Sequence, residues 1–272
     1  MRSAVVLLPI ALLGLAGPTW SGEGFRLRSL PAVTRELPWD RLDRRTFLEV
    51  KDVVDGAAVV HHVYGIWYRS RKEVFDFLIE HPDFAAEVAR ILREGKYRVQ
   101  QTSNGYEADD GRGARGVFKP IMTDGDRRVF HLEGRYDQPL LPTISGRLVL
   151  VLETVHRTTP GGPTYAESRV EGFLRLDSVI LERLARLALT LSKSLMDRRI
   201  RRFFRHVERV SQRAYDDPEG LADELASHVH LPAPRVAQFR EALLGDRLPS
   251  WAEPLGLRLT HASLTLGLPA RP

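Results

Sequence analysis

The chain of 272 residues contains no cysteine. Disulfides, thiol nucleophiles and cysteine-ligated zinc are therefore excluded, as is a lipid attached through an N-terminal cysteine. Stability has to come from a packed core, and a hydrophobic content of 43% is enough to build one. Catalytic signatures are sparse too. The sequence has no His-Glu-x-x-His zinc motif and no Gly-x-Ser-x-Gly nucleophile turn; Ser145-Gly146 and Thr102-Ser103-Asn104 read as turns. His228 and His230 lie two apart without a clear third ligand, so neither a metal nor a cofactor is expected. Long apolar runs are missing beyond the N-terminus, where a membrane span would need about 20 residues.

The N-terminus itself has a recognisable pattern. Arg2 precedes an apolar stretch from Ala4 to Ala16, and small residues follow. This is the layout of a secretory signal peptide, residues 1–21, cut near Ala16 or Ser21. It leads to the expectation of a periplasmic or secreted protein. Residues 22–46, with Pro31 and Pro38, read as an irregular arm.

The net charge of +5 is unevenly distributed. Between Met196 and Arg213, seven arginines (198, 199, 201, 202, 205, 209 and 213) face only Asp197 and Glu208, a local excess of +5. An exported protein seldom meets nucleic acid, so no nucleic-acid partner is expected. An anionic membrane surface is the more suitable counter-charge, with Arg198, Arg199, Arg201, Arg202 and Arg205 as its contacts. A solvated helix face is the bland alternative.

The glycines of DDGRGARG (109–116) have the G-x-G-x-x-G spacing of a dinucleotide loop. Such a loop must open a helix whose N-terminal amides hold the pyrophosphate. Here β-type residues and Pro120 follow, which favours a hairpin loop.

Residues 46–68 read as two strands joined at Asp55-Gly56, a tight-turn dipeptide. A helix follows, capped by Ser70 with Glu73 three residues on, broken at Pro82 and ended by Gly95. Strand-like runs at 96–102, 106–110, 114–122, 127–137, 146–158 and 164–176 are separated by turn signals, which predicts an antiparallel sheet. A long helix is predicted from Ser178, carrying the stripe Ile180, Leu184, Leu187, Leu191, Leu195, then Ile200, Phe203, Val207, Val210 and Ala214, and closed by Asp217-Pro218. The tail, 216–272, holds two short helical patterns and a final alternating run, LGLRLTHASLTLGL, fit for an edge strand or hairpin.

This order of elements over residues 47–215 resembles the START-like (SRPBCC) helix-grip superfamily of polyketide cyclases, lipid-transfer relatives and plant pathogenesis-related proteins. The most telling piece is YGIWYRSRKEVFDFLIEHPDFAAEV, 64–88, which is similar to the family's opening strand and broken helix. The likeness is one of pattern and carries over no catalytic residue. It implies an α+β fold in which a curved antiparallel sheet wraps a long C-terminal helix around an apolar cavity, with N- and C-terminal extensions. The cavity would take a lipid, isoprenoid or aromatic ligand. Strand alternation and the helix stripe select Tyr64, Ile66, Phe118, Phe130, Leu132, Leu150, Leu184, Leu187 and Leu191 as its lining. A cyclase- or aromatase-like enzyme is the alternative, with His62, Glu167 and Arg169 facing inward and His156 nearby. A membrane-associated interaction protein is a third reading.

Overall fold

The computed structural model describes residues 37–111, 113–137, 143–160, 162–177 and 193–245; in the helix that starts at Lys193, side chains are described from residue 204. The fold is α+β, built on a curved, open, seven-stranded antiparallel sheet.

The first helix, α1, spans Arg44–Asp55. It occupies the place where a hairpin was expected. The Asp43 carboxylate accepts from the amides of Arg45 and Thr46, an N-cap that satisfies two of the helix's orphan donors. Val50, Val53 and Val54 then recur at the spacing of one helical face. Gly56 is not the turn glycine of a hairpin. It caps the helix C-terminus at φ −93°, and a Cβ there would lie 2.6 Å from the Arg175 guanidinium. Glycine here supplies no positive φ; it leaves room for the Arg175 guanidinium, the movable end of a side chain.

Strand β1 (Val59–Arg69) leads into α2 (Lys72–Glu80) and α3 (Pro82–Ile91). Ser70 does not cap α2: its hydroxyl bonds the carbonyl of Arg71, and Arg71 takes the N-cap position. Pro82 starts α3, where a missing N–H costs nothing. There follow β2 (Arg98–Thr102), β3 (Gly105–Asp109), β4 (Ala114–Asp124), β5 (Arg127–Tyr136), β6 (Ile144–Thr158) and β7 (Thr164–Leu176). The sheet order is β1-β7-β6-β5-β4-β3-β2, so β1 and β2 are its two edges. The chain closes with α4 (Lys193–Asp216), α5 (Pro218–Ala226) and α6 (Ala233–Leu244). Gly111 and Gly113 lie in the β3–β4 hairpin connection, and Gly116 is already within β4, opposite Gly134 of β5.

The sheet has two unlike faces. On the inner face, α2 to α6 cover a core that includes Ile66, Phe118, Leu132, Leu148 and Leu174. On the outer face, α1 covers a smaller core of Val50, Val53, Val129, Val149, Val151 and Phe173. Among the described residues no helix is long and apolar enough to cross a membrane.

Candidate functional site

The inner face carries most of the expected lining. Register pairs Phe118 with Leu132 and Leu132 with Leu148, while Phe130 pairs with Leu150. Ile66, Phe118, Phe130 and Leu132 are buried on this face and Leu150 is half-buried against it. Leu184, Leu187 and Leu191 lie outside the described residues.

Tyr64 is the exception. It was expected beside Ile66, two residues on, but it is 46% exposed on the outer face. The pairing of β1 with β7 shifts between Val63 and Ile66, and Gly65 sits at φ +65°. This bulge inserts one residue, so Val63 and Ile66 both point inward and the two-residue alternation is broken between them.

Polar groups interrupt the apolar inner face at one end. The Tyr68 hydroxyl is 3.0 Å from Ser168 Oγ, which is 2.9 Å from Thr154 Oγ1. All three residues are almost fully buried, and burial pushes the Tyr68 phenol well above its ordinary pKa. His156 follows Thr154 by two residues and shares its face. Its ring centroid is 5.4 Å from that of Phe75, and its buried Nε2 has no hydrogen-bond partner. Burial, outweighing the nearby Asp76 carboxylate, holds the imidazole below its usual pKa. Arg128 reaches Asp76 at 2.5 Å and lies over the Phe75 ring, which keeps this mostly buried cation paired. The sheet thus presents hydroxyls, an imidazole and an ion pair beside a broad apolar surface.

Neither Ser168 nor Thr154 stood out in the sequence. Ser168 sits between Glu167 and Arg169 and Thr154 follows Glu153, in strands whose Glu and Arg residues drew attention instead. The signal was the opposite phase of the same alternation: Ala166, Ser168, Val170 against Glu167, Arg169, Glu171.

His62, Glu167 and Arg169, expected to face inward if the protein were an enzyme, lie on the other side of the sheet. His62 is exposed and its ring is 5.3 Å from that of Tyr64. Arg169 sits between Glu153 (3.5 Å) and Glu167 (3.4 Å), and Glu167 also meets Arg157 at 3.8 Å. These are cross-strand ion pairs on a partly solvated face. The bulge at Gly65 and the sheet's register separate them from His156.

The basic segment forms part of α4. The side chains of Arg198, Arg199, Arg201 and Arg202 lie outside the described ones; Arg205 is exposed. Arg209 pairs with Glu94 at 3.0 Å and Arg213 with Asp217 at 2.6 Å, so the later part of the run is neutralised within the fold. His206 completes this corner: its Nδ1 is 3.2 Å from the same Glu94 carboxylate. Among the described residues, no group of three or more potential ligands could hold a metal ion.

No family model matches the chain, and no curated protein matches it. Among solved structures, a conserved protein from Geobacillus kaustophilus aligns with a TM-score of 0.37 at 10% identity, covering 57% of this chain and 93% of that one.

Proposed function

We propose that this protein binds a hydrophobic ligand between the inner face of the sheet and its helices, in a helix-grip arrangement, and acts as an exported carrier. The observation that supports this most is the composition of one sheet face: Ile66, Phe118, Phe130, Leu132 and Leu150 together, with Tyr68, Ser168, Thr154 and His156 at one end. Ligand sites have this make-up, a largely apolar lining with a few polar groups that fix orientation. A ligand with an apolar body and one hydrogen-bonding head, such as a lipid or isoprenoid alcohol, matches it. His156 Nε2, an acceptor in the neutral imidazole that burial favours, would take the head's proton donor.

The test is native mass spectrometry of the protein purified after expression with its own N-terminal segment, followed by organic extraction. A co-purified lipid or isoprenoid of defined mass is the expected result. A ligand-free mass that stays unchanged after incubation with a lipid extract would reject the carrier reading.

A further inference from the structure

A cleft of about 500 Å³ lies at the β2 edge of the sheet, where the inner-face core ends at Phe84, Val99 and Leu231. Asp83, Phe84 and Glu87 of α3 form one wall and Val99, Gln100 and Gln101 of β2 the other. The turn into α6, with His230, Leu231 and Arg235, closes the third side.

Two features give the cleft a chemistry. Consecutive strand residues point to opposite faces. Yet Val99, Gln100 and Gln101 all border it, so the cleft opens on the edge of β2 and not on a face. Among the described residues that edge is the last in the sheet, with β3 as its one strand neighbour. An unpaired edge offers alternating N–H and C=O groups. The second feature is the set of polar side chains around it. Among the described residues, the side chains of Asp83, Arg235, Gln100, Gln101 and Gln238 make no hydrogen bond or ion pair. Burial raises the Tyr106 pKa first; the Asp83 carboxylate then raises it and the Arg235 guanidinium lowers it, so both charges are felt at this hydroxyl beside the cleft. The floor is apolar, with Phe84, Val99 and Leu231 buried.

We infer that this cleft docks an extended peptide segment of a partner protein, which adds a strand to the β2 edge and sets an acidic side chain against Arg235 and a basic one against Asp83. Strand addition supplies the backbone pairing, and the flanking groups supply the selectivity. Free carboxamides match the donor and acceptor pattern of a peptide backbone. The volume suits a short segment, being within the range of roughly 300–1,000 Å³ typical of ligand pockets. A second copy of this chain fits poorly, because its own β2 would bring its α3, a cylinder about 10 Å wide, into the same gap.

Linear twelve-residue peptides displayed on phage are selected against the full chain, and the best are synthesised with a fluorescent label for anisotropy titration. The expected peptides carry an acidic residue. Arg235→Glu weakens them about tenfold, equivalent to about 1.4 kcal/mol. Changing that acid to lysine restores affinity for the Arg235→Glu protein and abolishes it for the wild type. Amide hydrogen exchange slows in β2 on binding. Unaltered circular dichroism of the variant separates lost contact from lost fold. Selected peptides indifferent to both Arg235→Glu and Asp83→Lys, or none that bind above a scrambled control, would overturn the inference. Removal of residues 246–272 that tightens peptide binding tenfold would also overturn it, since the occupant would then be the chain's own tail.

Discussion

The two faces of one sheet are held in different ways. The inner face is covered by five helices, and its buried hydroxyls satisfy one another through Tyr68, Ser168 and Thr154. Among the described residues the outer face is covered by α1, with Leu37, Trp39 and Leu42 just before it, and α1 is tied down at its rim by ion pairs: Asp52 with Arg147 and Arg175, and Glu49 with Lys119. Beneath α1 lies His131, 4% exposed, whose Nε2 has no hydrogen-bond partner. A hydroxyl chain tolerates burial because each oxygen can both donate and accept. A neutral imidazole with one unused nitrogen tolerates it only while it stays uncharged. The inner face should therefore hold steady with pH, apart from His156, and the outer face should depend on it.

The largest effects test whether each face is a true core. Phe173→Ala, under α1, is expected to cost about 3–5 kcal/mol and Leu132→Ala, on the inner face, about 2–5 kcal/mol in urea unfolding. If Leu132→Ala costs far less, the inner face is loosely filled and better suited to a ligand.

Ser168→Ala comes next. It strips the partner from Tyr68 and Thr154 at once, and should cost about 1–3 kcal/mol. The triple change Tyr68→Phe, Thr154→Val, Ser168→Ala should cost less than the sum of its single changes, which a mutant cycle measures.

Acid should loosen the outer layer. Burial is the first cause of the lowered pKa of His131, with Lys119 and Arg147 acting the same way against Glu133 and Glu49. The unfolded chain therefore takes up this proton more readily than the folded one. The stability linked to a neutral His131 is fully present above about pH 6.5 and is lost as pH falls through the lowered value. Thermal unfolding of His131→Gln should show a flatter slope between pH 7 and 5 than the wild type. An identical slope would mean that His131 is not a principal source. His156 shifts in the same direction, so a residual slope is assigned by His156→Gln.

The smallest effect belongs to the rim. Asp52→Asn leaves α1 in place and should cost less than about 1 kcal/mol, because the pairs are well solvated. Proteolysis within 44–55 reports it more sensitively than global unfolding.

The legibility of the sequence differed between the faces in the same way. β7 appears at 164–176 as its turn signals and alternation predicted, and β4 to β6 lie within two residues of expectation. Local period decided those strands. Residues 46–55 misled because Thr46, Leu48 and Val50 alternate as in a strand, while Val50, Val53 and Val54 also fit a helix face. The Asp43 cap, three residues before Thr46, resolved that ambiguity. Ten consecutive residues of a strand-like composition can serve either period, and burial against Phe173 and Val149 chooses between them.

The sequence by itself determined the antiparallel sense of the sheet and the break at Pro82, because each follows from neighbours a few positions apart, and its composition excluded cysteine chemistry; it counted one strand too many, since residues 46–55 belong to α1. The tertiary structure alone decided which side of the sheet each polar residue serves. One extra residue at the Gly65 bulge moved Tyr64 out while Val63 and Ile66 both stayed in, and pairing across 100 positions brought Tyr68 to Ser168. A cleft against the edge of β2 likewise needs α3, β2 and α6, whose contact no local pattern encodes.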